Sequence, residues 1–178
     1  QTGQTEEAIN FIINSNLVSS QSIRQTADCI RVSKICALVI GKMMHAAELG
    51  ILLTVSPDSR CLEKDLLLPM EDYITIIAIE ELSNGEHEIK EITLGLYCDP
   101  DCNIITCEDT GSGIRPDLID RIYERGVSSK GENRGTGLFL IKQLVEESHG
   151  DISIETEEGE GTCFTITFTG KEKPSCTM

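Results

Sequence analysis

The spacing of apolar residues changes at about residue 89, and this change sets the fold class. Between residues 24 and 49, apolar side chains recur at steps of three and four, as they do along one face of a helix. From Ile89 onward, runs such as EITLGLY and TCFTITFTG alternate in steps of two, which indicates strands. Helices before and between strand hairpins predict an α+β fold, a two-layer sandwich with helices on one face of a mixed, mostly antiparallel sheet.

Turn and stop signals give the expected limits of the elements. Gly50 is expected to end a helix, Pro69 to begin one, and Gly150 to end the last one. Tight turns are predicted at residues 99–101 and 158–161, and loops over 110–136. The predicted helices span residues 6–20, 24–49, 69–82 and 136–150. The predicted strands span residues 51–55, 91–97, 103–109, 151–157 and 162–170.

Length and charge exclude several classes of protein. A chain of 178 residues is one domain with at most a helical addition. Its formal charge of −15 disfavours a nucleic-acid partner. Basic residues nevertheless cluster between Arg121 and Arg134, which predicts a small anion as ligand. The sequence shows neither a membrane-length apolar run nor a signal peptide, so a soluble chain is expected.

Other cofactor and metal motifs are missing from the sequence. None of the eight cysteines stands at C-x-x-C spacing, so no zinc site is predicted, and reduced thiols in the cytoplasm are expected. No G-x-x-x-x-G-K-[ST] loop is present, which excludes a P-loop nucleotide site.

Two glycine-containing strings carry the chemical information. The first, EDTGSGI, follows a predicted strand: Asp109 at the strand end can accept a hydrogen bond from an amine, and Gly111 and Gly113 allow backbone to approach a flat ring. The second, RGTGL, leads into a helix, whose unpaired N–H groups favour phosphate. Either string alone is also compatible with an ordinary glycine-rich turn.

The order of these strings, with the basic loop GVSSKG between them and a closing hairpin that contains Gly161 and Thr162, resembles the ATP-binding domain of the GHKL superfamily. This superfamily contains sensor histidine kinases, gyrase, mismatch-repair ATPases and heat-shock chaperone ATPases. The run from RIYERGVSSKG to TCFTITF looks like a bacterial sensor histidine kinase of the citrate and C4-dicarboxylate branch. The upstream runs EEAINFI and ALVIGKMMHAAELGILLTV match the same branch.

The resemblance implies a GHKL (Bergerat) fold and a set of nucleotide-binding residues. Asp109 would accept the adenine amine, Gly111, Gly113 and Ile114 would shape the base pocket, and Thr162 would support bound water. Tyr123 would pack in the segment that matches the family's phenylalanine-rich motif. The residues expected to face the phosphates are Lys130, Gly131, Arg134, Gly135, Thr136, Gly137 and Leu138.

The resemblance also implies an organisation and partners. Residues 1–32 would be the end of a dimerisation helix region, residues 33–170 the catalytic and ATP-binding domain, and residues 171–178 a tail. ATP and Mg²⁺ would be the cofactors, a response regulator the protein partner, and the full-length protein a homodimer anchored in the inner membrane with this domain in the cytoplasm.

The sequence departs from the family pattern at two places. Kinases of this branch carry a helix of the form D-L-x-T-I-L-G-N-L-I-E-N-A, whose asparagine holds Mg²⁺ and whose glutamate is the general base. Here the run from Asp72 to Leu82 reads as though G-N-L-x-E-N were missing between Ile77 and Ala78. Either a helix turn has been lost, or residues are missing from the sequence; the second interpretation is preferred, since losing such a turn costs more stability than a domain has. No catalytic or metal-binding residue is therefore assigned.

The second departure is the absence of a phosphoacceptor histidine, because none of His45, His87 and His149 has the family's H-x-x-x-N setting. The main hypothesis is thus a kinase domain that phosphorylates a histidine outside this chain. The alternatives are a degenerate, inactive kinase domain that dimerises and docks a regulator, and an anti-sigma-factor type of serine kinase.

Overall fold

The computed structural model describes residues 18–79, 91–125 and 136–170. The helices are α1 (Ser20–Cys29), α2 (Ser33–Glu48), α3 (Met70–Ile79), α4 (Pro116–Ile119) and α5 (Gly137–Glu147). The strands are β1 (Leu52–Val55), β2 (Glu91–Cys98), β3 (Cys102–Asp109), β4 (Asp151–Glu157) and β5 (Gly161–Thr169). A short 3-10 turn covers Glu63–Asp65.

The strands form one five-stranded sheet in the order β1-β2-β3-β5-β4. β1 pairs with β2 in parallel, and the other three pairs are antiparallel. The mixed, mostly antiparallel sheet predicted from the sequence is therefore confirmed. β3 lies at the centre, between β2 and β5, so its end at Asp109 is held by neighbours on both sides.

The hydrophobic core lies between this sheet and the helices. α2, α3 and α5 each contribute fully buried side chains, including Val39, Ile77 and Val145. Alternate residues of β3 and β5, such as Ile105 and Phe168, point to the same side. The molecule is thus the predicted two-layer sandwich. No helix in the described ranges is long and apolar enough to cross a bilayer.

The single helix predicted over residues 24–49 is wrong, because the structure has two helices there. α1 ends at Cys29, and Ile30 forms a parallel bridge with Cys61 before α2 begins at Ser33. The hydrogen bond from Arg31 N to Cys61 O, at 2.8 Å, also satisfies backbone at the break. The apolar pattern could not reveal this break, since Ile30 and Ile35 are both buried whether or not the helix is continuous.

The other element limits agree more closely with the sequence prediction. Gly50 has a φ of 76° just after α2, as a helix-ending glycine requires. The Asp99 carboxylate accepts hydrogen bonds from the backbone N–H groups of residues 101 and 102, both at 2.8 Å, which closes the first hairpin. The four-residue helix α4 lies in a stretch predicted as loop. α3 continues across Ile77 and Ala78, while most of the predicted helix 6–20, the end of helix 69–82 and the tail lie outside the described residues.

The buried hydroxyl of Tyr73 ties α3 to β3. It donates to Asn103 Oδ1, which also accepts from Leu67 N at 3.0 Å. Tyr73 and Asn103 are both fully buried, and burial raises the pKa of Tyr73 to about 12.

We expect Tyr73→Phe to lower the free energy of unfolding by about 1 to 2 kcal/mol at neutral pH, the value of one buried hydrogen bond. Because the folded pKa lies above the ordinary value of 10.0, the stabilisation by Tyr73 is complete below pH 10.0 and is lost as the pH rises toward about 12. Urea unfolding between pH 7 and pH 11 measures this. If the stability difference between the wild type and Tyr73→Phe grew above pH 10, the prediction would be contradicted. Tyr97→Phe, at a partly exposed site, is the control.

Candidate functional site

Asp109 lies at the end of β3, on the face of the sheet that the helices cover. Residues 103, 105, 107 and 109 of β3 share one face of the sheet, and Asn103 and Ile105 on that face are buried under the helices. Asp109 Oδ1 accepts a hydrogen bond from Gly111 N at 2.7 Å, so the carboxylate is fixed in orientation. The neighbouring Glu108 is exposed on the opposite face.

Close backbone packing holds the loop after β3 against the turn between β4 and β5. Gly113 has a φ of 71°, and a Cβ there would overlap the carbonyl of Glu157. Gly161 has a φ of 121°, and a Cβ there would overlap the carbonyl of Asp109. Gly159 N also donates to Ser112 O at 2.8 Å. The glycines therefore permit an approach that no other residue type allows.

A small hydroxyl network connects these segments. Thr162, which is 6% exposed, is the direct cross-strand partner of Asp109. Its Oγ1 lies 3.2 Å from the Oγ1 of Thr156. Thr156 also accepts a hydrogen bond from Ile114 N at 2.8 Å and donates to Gly161 O at 3.1 Å. The sequence prediction missed Thr156, and only its position opposite Thr162 on the hairpin could have indicated it.

We expect Thr156→Val to lower the free energy of unfolding by about 1 to 2 kcal/mol, because it preserves shape but leaves the Ile114 N–H without its acceptor. Hydrogen exchange at the Ile114 amide should become faster, and mass spectrometry of the corresponding peptide measures it. Ser153→Ala, at an exposed position on the same strand, is the control. Unchanged exchange at Ile114 would contradict the role given to Thr156.

Tyr123 lies beside α5. Its ring is 4.8 Å from the Nζ of Lys142, close enough for a cation–π contact, and Lys142 also pairs with Glu146 at 3.5 Å. Burial raises the pKa of Tyr123. Its buried hydroxyl has no hydrogen-bond partner within the described part of the chain.

The start of α5 is the second half of the predicted site. Thr136 is exposed and precedes the helix, Gly137 is its first residue, and Leu138 packs partly into the core. The N-cap side chain makes no hydrogen bond to the helix, so the first N–H groups of α5 depend on other partners. Four predicted phosphate-site residues lie outside the described ranges: Lys130, Gly131, Arg134 and Gly135.

The described residues of the predicted site fall into two groups. Asp109, Gly111, Gly113, Ile114 and Thr162 meet where β3 and β5 are paired. Thr136, Gly137 and Leu138 form a second group at the start of α5, and Tyr123 lies beside that helix.

Charge distinguishes the two ends of this region. The β4–β5 turn carries three exposed carboxylates, Glu157, Glu158 and Glu160, next to Asp109. Such a rim repels phosphate, whereas the N-terminus of α5 attracts it. The Asp109 end of this region is therefore the more negative one, and the start of α5 is the end that favours an anion.

The described residues contain no cluster of three or more histidine, cysteine or acidic side chains arranged to hold a metal ion.

His45 is exposed on α2, where it lies 3.3 Å from Glu48. A groove of about 350 Å³ between α1 and α2 shares no residue with the candidate site.

Comparison with known families gives a match over residues 75–172, more than half of the chain, to the histidine kinase-, DNA gyrase B- and HSP90-like ATPase family. The sensor protein CitS of Halalkalibacterium halodurans is 33% identical over 94% of this chain and 32% of its own length. The sensor histidine kinase DcuS of Escherichia coli K12 is 34% identical over 77% of this chain and 26% of its own length. The chain therefore spans about a third or less of these relatives.

Solved structures agree on the fold. The catalytic domain of histidine kinase ThkA superposes with a TM-score of 0.61 at 15% identity, covering 76% of this chain and 90% of that one. Full-length ShkA, solved in complex with AMPPNP, gives 0.58 at 21% identity, covering 79% of this chain and 30% of that one. The chain belongs to the histidine kinase-, DNA gyrase B- and HSP90-like ATPases, as an ATP-binding domain of the sensor histidine kinase branch that contains the citrate and C4-dicarboxylate sensors.

Proposed function

We propose that this domain binds ATP with its adenine against Asp109 and its phosphates toward the start of α5, and transfers the γ-phosphate to a histidine outside this chain. The observation that carries the proposal is the convergence of Asp109, Gly113 and Thr162 at the end of the central strand. Family membership supports nucleotide binding in general. The assignment to individual residues is our own.

The adenine end has the chemistry that this role requires. The Gly111 N–H binds one carboxylate oxygen of Asp109, so the carboxylate is held in a single orientation. An exocyclic amine is a donor, and an ionised carboxylate is a strong acceptor. Thr162 is buried beside it and can position a water molecule between base and protein. Gly111, Gly113 and Ile114 would line the flat faces of the base.

The phosphate end rests on α5 and the preceding loop. The first N–H groups of α5, at Gly137 and Leu138, can donate to phosphate oxygens, with the helix dipole in the favourable sense. Lys130 and Arg134 would offset the triphosphate charge, and Gly131, Gly135 and Thr136 would let the backbone approach. Tyr123 would support this wall through its contact with Lys142.

Mg²⁺ belongs to the proposal as the ion that neutralises the phosphate oxygens. The described side chains provide no metal-ligand cluster, and the asparagine and glutamate that the branch uses are missing after Ile77. We therefore assign no ligand and no general base. This departure favours one second candidate, a degenerate domain that dimerises and docks a regulator without transferring phosphate.

The remaining roles concern the full-length protein. Its relatives are sensor kinases of about three times this length, which supports a homodimer, a response regulator as phosphate acceptor, and a cytoplasmic position for this domain in an inner-membrane protein. By the same resemblance, residues 1–32 would end the dimerisation region, residues 33–170 would form the catalytic domain, and residues 171–178 a tail.

Calorimetric titration of ATP with Mg²⁺ into the chain tests binding, and incubation with a separate fragment that carries the phosphoacceptor histidine tests transfer. Binding together with acid-labile phosphate on the fragment is expected. Binding without transfer would favour the degenerate domain, and no binding at millimolar ATP would contradict the proposal.

A further inference from the structure

Two buried thiols lie side by side at the far end of β2. Cys61 is fully buried and Cys98 is 3% exposed. Each thiol shifts the pKa of the other. The nucleotide proposal uses neither of them, and both are free thiols in the structure.

The backbone places this pair within reach of a covalent bond. Arg60 pairs with Tyr97 in a parallel bridge, with Arg60 N donating to Leu96 O at 2.7 Å and Cys98 N donating to Arg60 O at 2.8 Å. The next residues along, Cys61 and Cys98, therefore face each other on the opposite, buried side. Paired strands lie about 4.8 Å apart, and disulfides join Cα atoms about 4.4 to 6.8 Å apart.

We propose that Cys61 and Cys98 are a site of reversible disulfide formation, closed by a peroxide and opened by a thiol reductant. The bond would fasten the connection 56–62, which follows β1, to the end of β2. Other free thiols of the described chain are not needed for it.

The reaction balances as a two-electron oxidation. The Cys61 sulfur, as thiolate, attacks one peroxide oxygen and breaks the O–O bond, which gives a sulfenic acid and hydroxide; the hydroxide takes up the proton that the thiol lost and becomes water. The Cys98 sulfur then attacks the Cys61 sulfur, its proton leaves with the hydroxyl as a second water, and the S–S bond forms. Two electrons from the two sulfurs reduce one hydrogen peroxide to two waters.

The environment of each thiol fits this order of events. The hydrogen bond from Cys98 lowers the pKa of Cys61, and the same bond together with burial raises the pKa of Cys98. Because both sulfurs are buried, reaction requires local opening of residues 56–62 and is slower than at a surface thiol.

The position of the pair separates its effect from nucleotide binding. Cys98 is paired with Asn103 at one end of β3, whereas Asp109 lies at the other end. Asn103 and Asp109 are six residue steps apart along the strand, roughly 20 Å. The disulfide should therefore change stability and leave the affinity for ATP unchanged.

The test treats the wild-type chain with hydrogen peroxide, alkylates the remaining thiols, and maps peptides without reduction. The expected product is one cross-linked peptide that joins Cys61 to Cys98, with a rise in the unfolding midpoint of roughly 5 to 15 °C that dithiothreitol reverses. Full alkylation of both thiols after unfolding, or linkage of either to another cysteine, would overturn the proposal. This mapping needs no nucleotide, so its outcome is independent of the proposed kinase activity.

Two variants test whether the cross-link and the rise in midpoint depend on Cys61 and not on a neighbouring thiol. Cys102→Ser, which removes a partly exposed thiol close to β2, should keep both the cross-link and the rise in midpoint. Cys61→Ala should abolish the peroxide-induced rise. Because Cys61→Ala can itself lower the starting midpoint, the quantity compared is the change on oxidation. A rise of equal size in Cys61→Ala would also overturn the proposal.

Discussion

Asp109→Asn should weaken ATP binding roughly 10- to 100-fold, the loss expected for one hydrogen bond to a charged acceptor. The asparagine carbonyl can still accept from Gly111 N, so the loop geometry is kept. Its other terminal atom becomes an NH₂ group, which faces the adenine amine donor to donor. The affinity should therefore fall while the unfolding midpoint stays nearly constant. Calorimetric titration of ATP measures the affinity.

The matched control is Glu108→Gln, the same chemical change one residue earlier. Glu108 lies on the exposed, opposite face of β3, so its neutralisation should alter the affinity less than about twofold, as expected for a surface charge. Equal losses in both variants would mean that overall charge, and not the position of Asp109, controls binding. An unchanged affinity in Asp109→Asn would remove Asp109 from the site.

Gly161→Ala should destabilise the domain by about 3 to 5 kcal/mol. The residue has a φ of 121°, which an L side chain rarely adopts, and its Cβ would overlap the Asp109 carbonyl. Relief of this overlap requires β5 to separate from β3 at the Asp109 and Thr162 pair. ATP affinity should fall together with stability, and urea unfolding with ATP titration measures both.

Gly159→Ala separates backbone strain from overlap. Gly159 has a φ of 90° in the same turn, but nothing lies within 4 Å of its Cβ position. Only the conformational cost of about 1 kcal/mol is expected, with little effect on ATP affinity. If the two variants lose equal stability, the contact between Gly161 and Asp109 does not hold the strands as described.

The sheet could be predicted from sequence because each strand has a recognisable pattern in its own residues. Two-residue alternation marks the strands of residues 91–109 and 151–169, and Asp99 closes its turn through its own side chain. The break between α1 and α2 could not be predicted, since it depends on Ile30 pairing with the distant Cys61. α4 is too short to show a period.

Within the candidate site, the glycines could be recognised from the sequence, but the hydrogen bonds between Thr156 and Thr162 could not. Gly113 and the residues around it form a recurrent string, and the close approach that they permit is local in origin. Thr156 looks like any polar strand residue, and its role arises because the hairpin brings it opposite Thr162 and the loop brings Ile114 to it. Such roles depend on tertiary contacts between segments that are far apart in the sequence; Ile114 and Thr156 are separated by 42 residues.

The most direct test of a single ATP site that extends from Asp109 to α5 is hydrogen exchange with different ligands. ATP should slow exchange both at residues 111–114 and at residues 137–140, while adenosine should slow it at residues 111–114 alone. Protection by ATP at only one of the two segments, or at neither, would contradict the account.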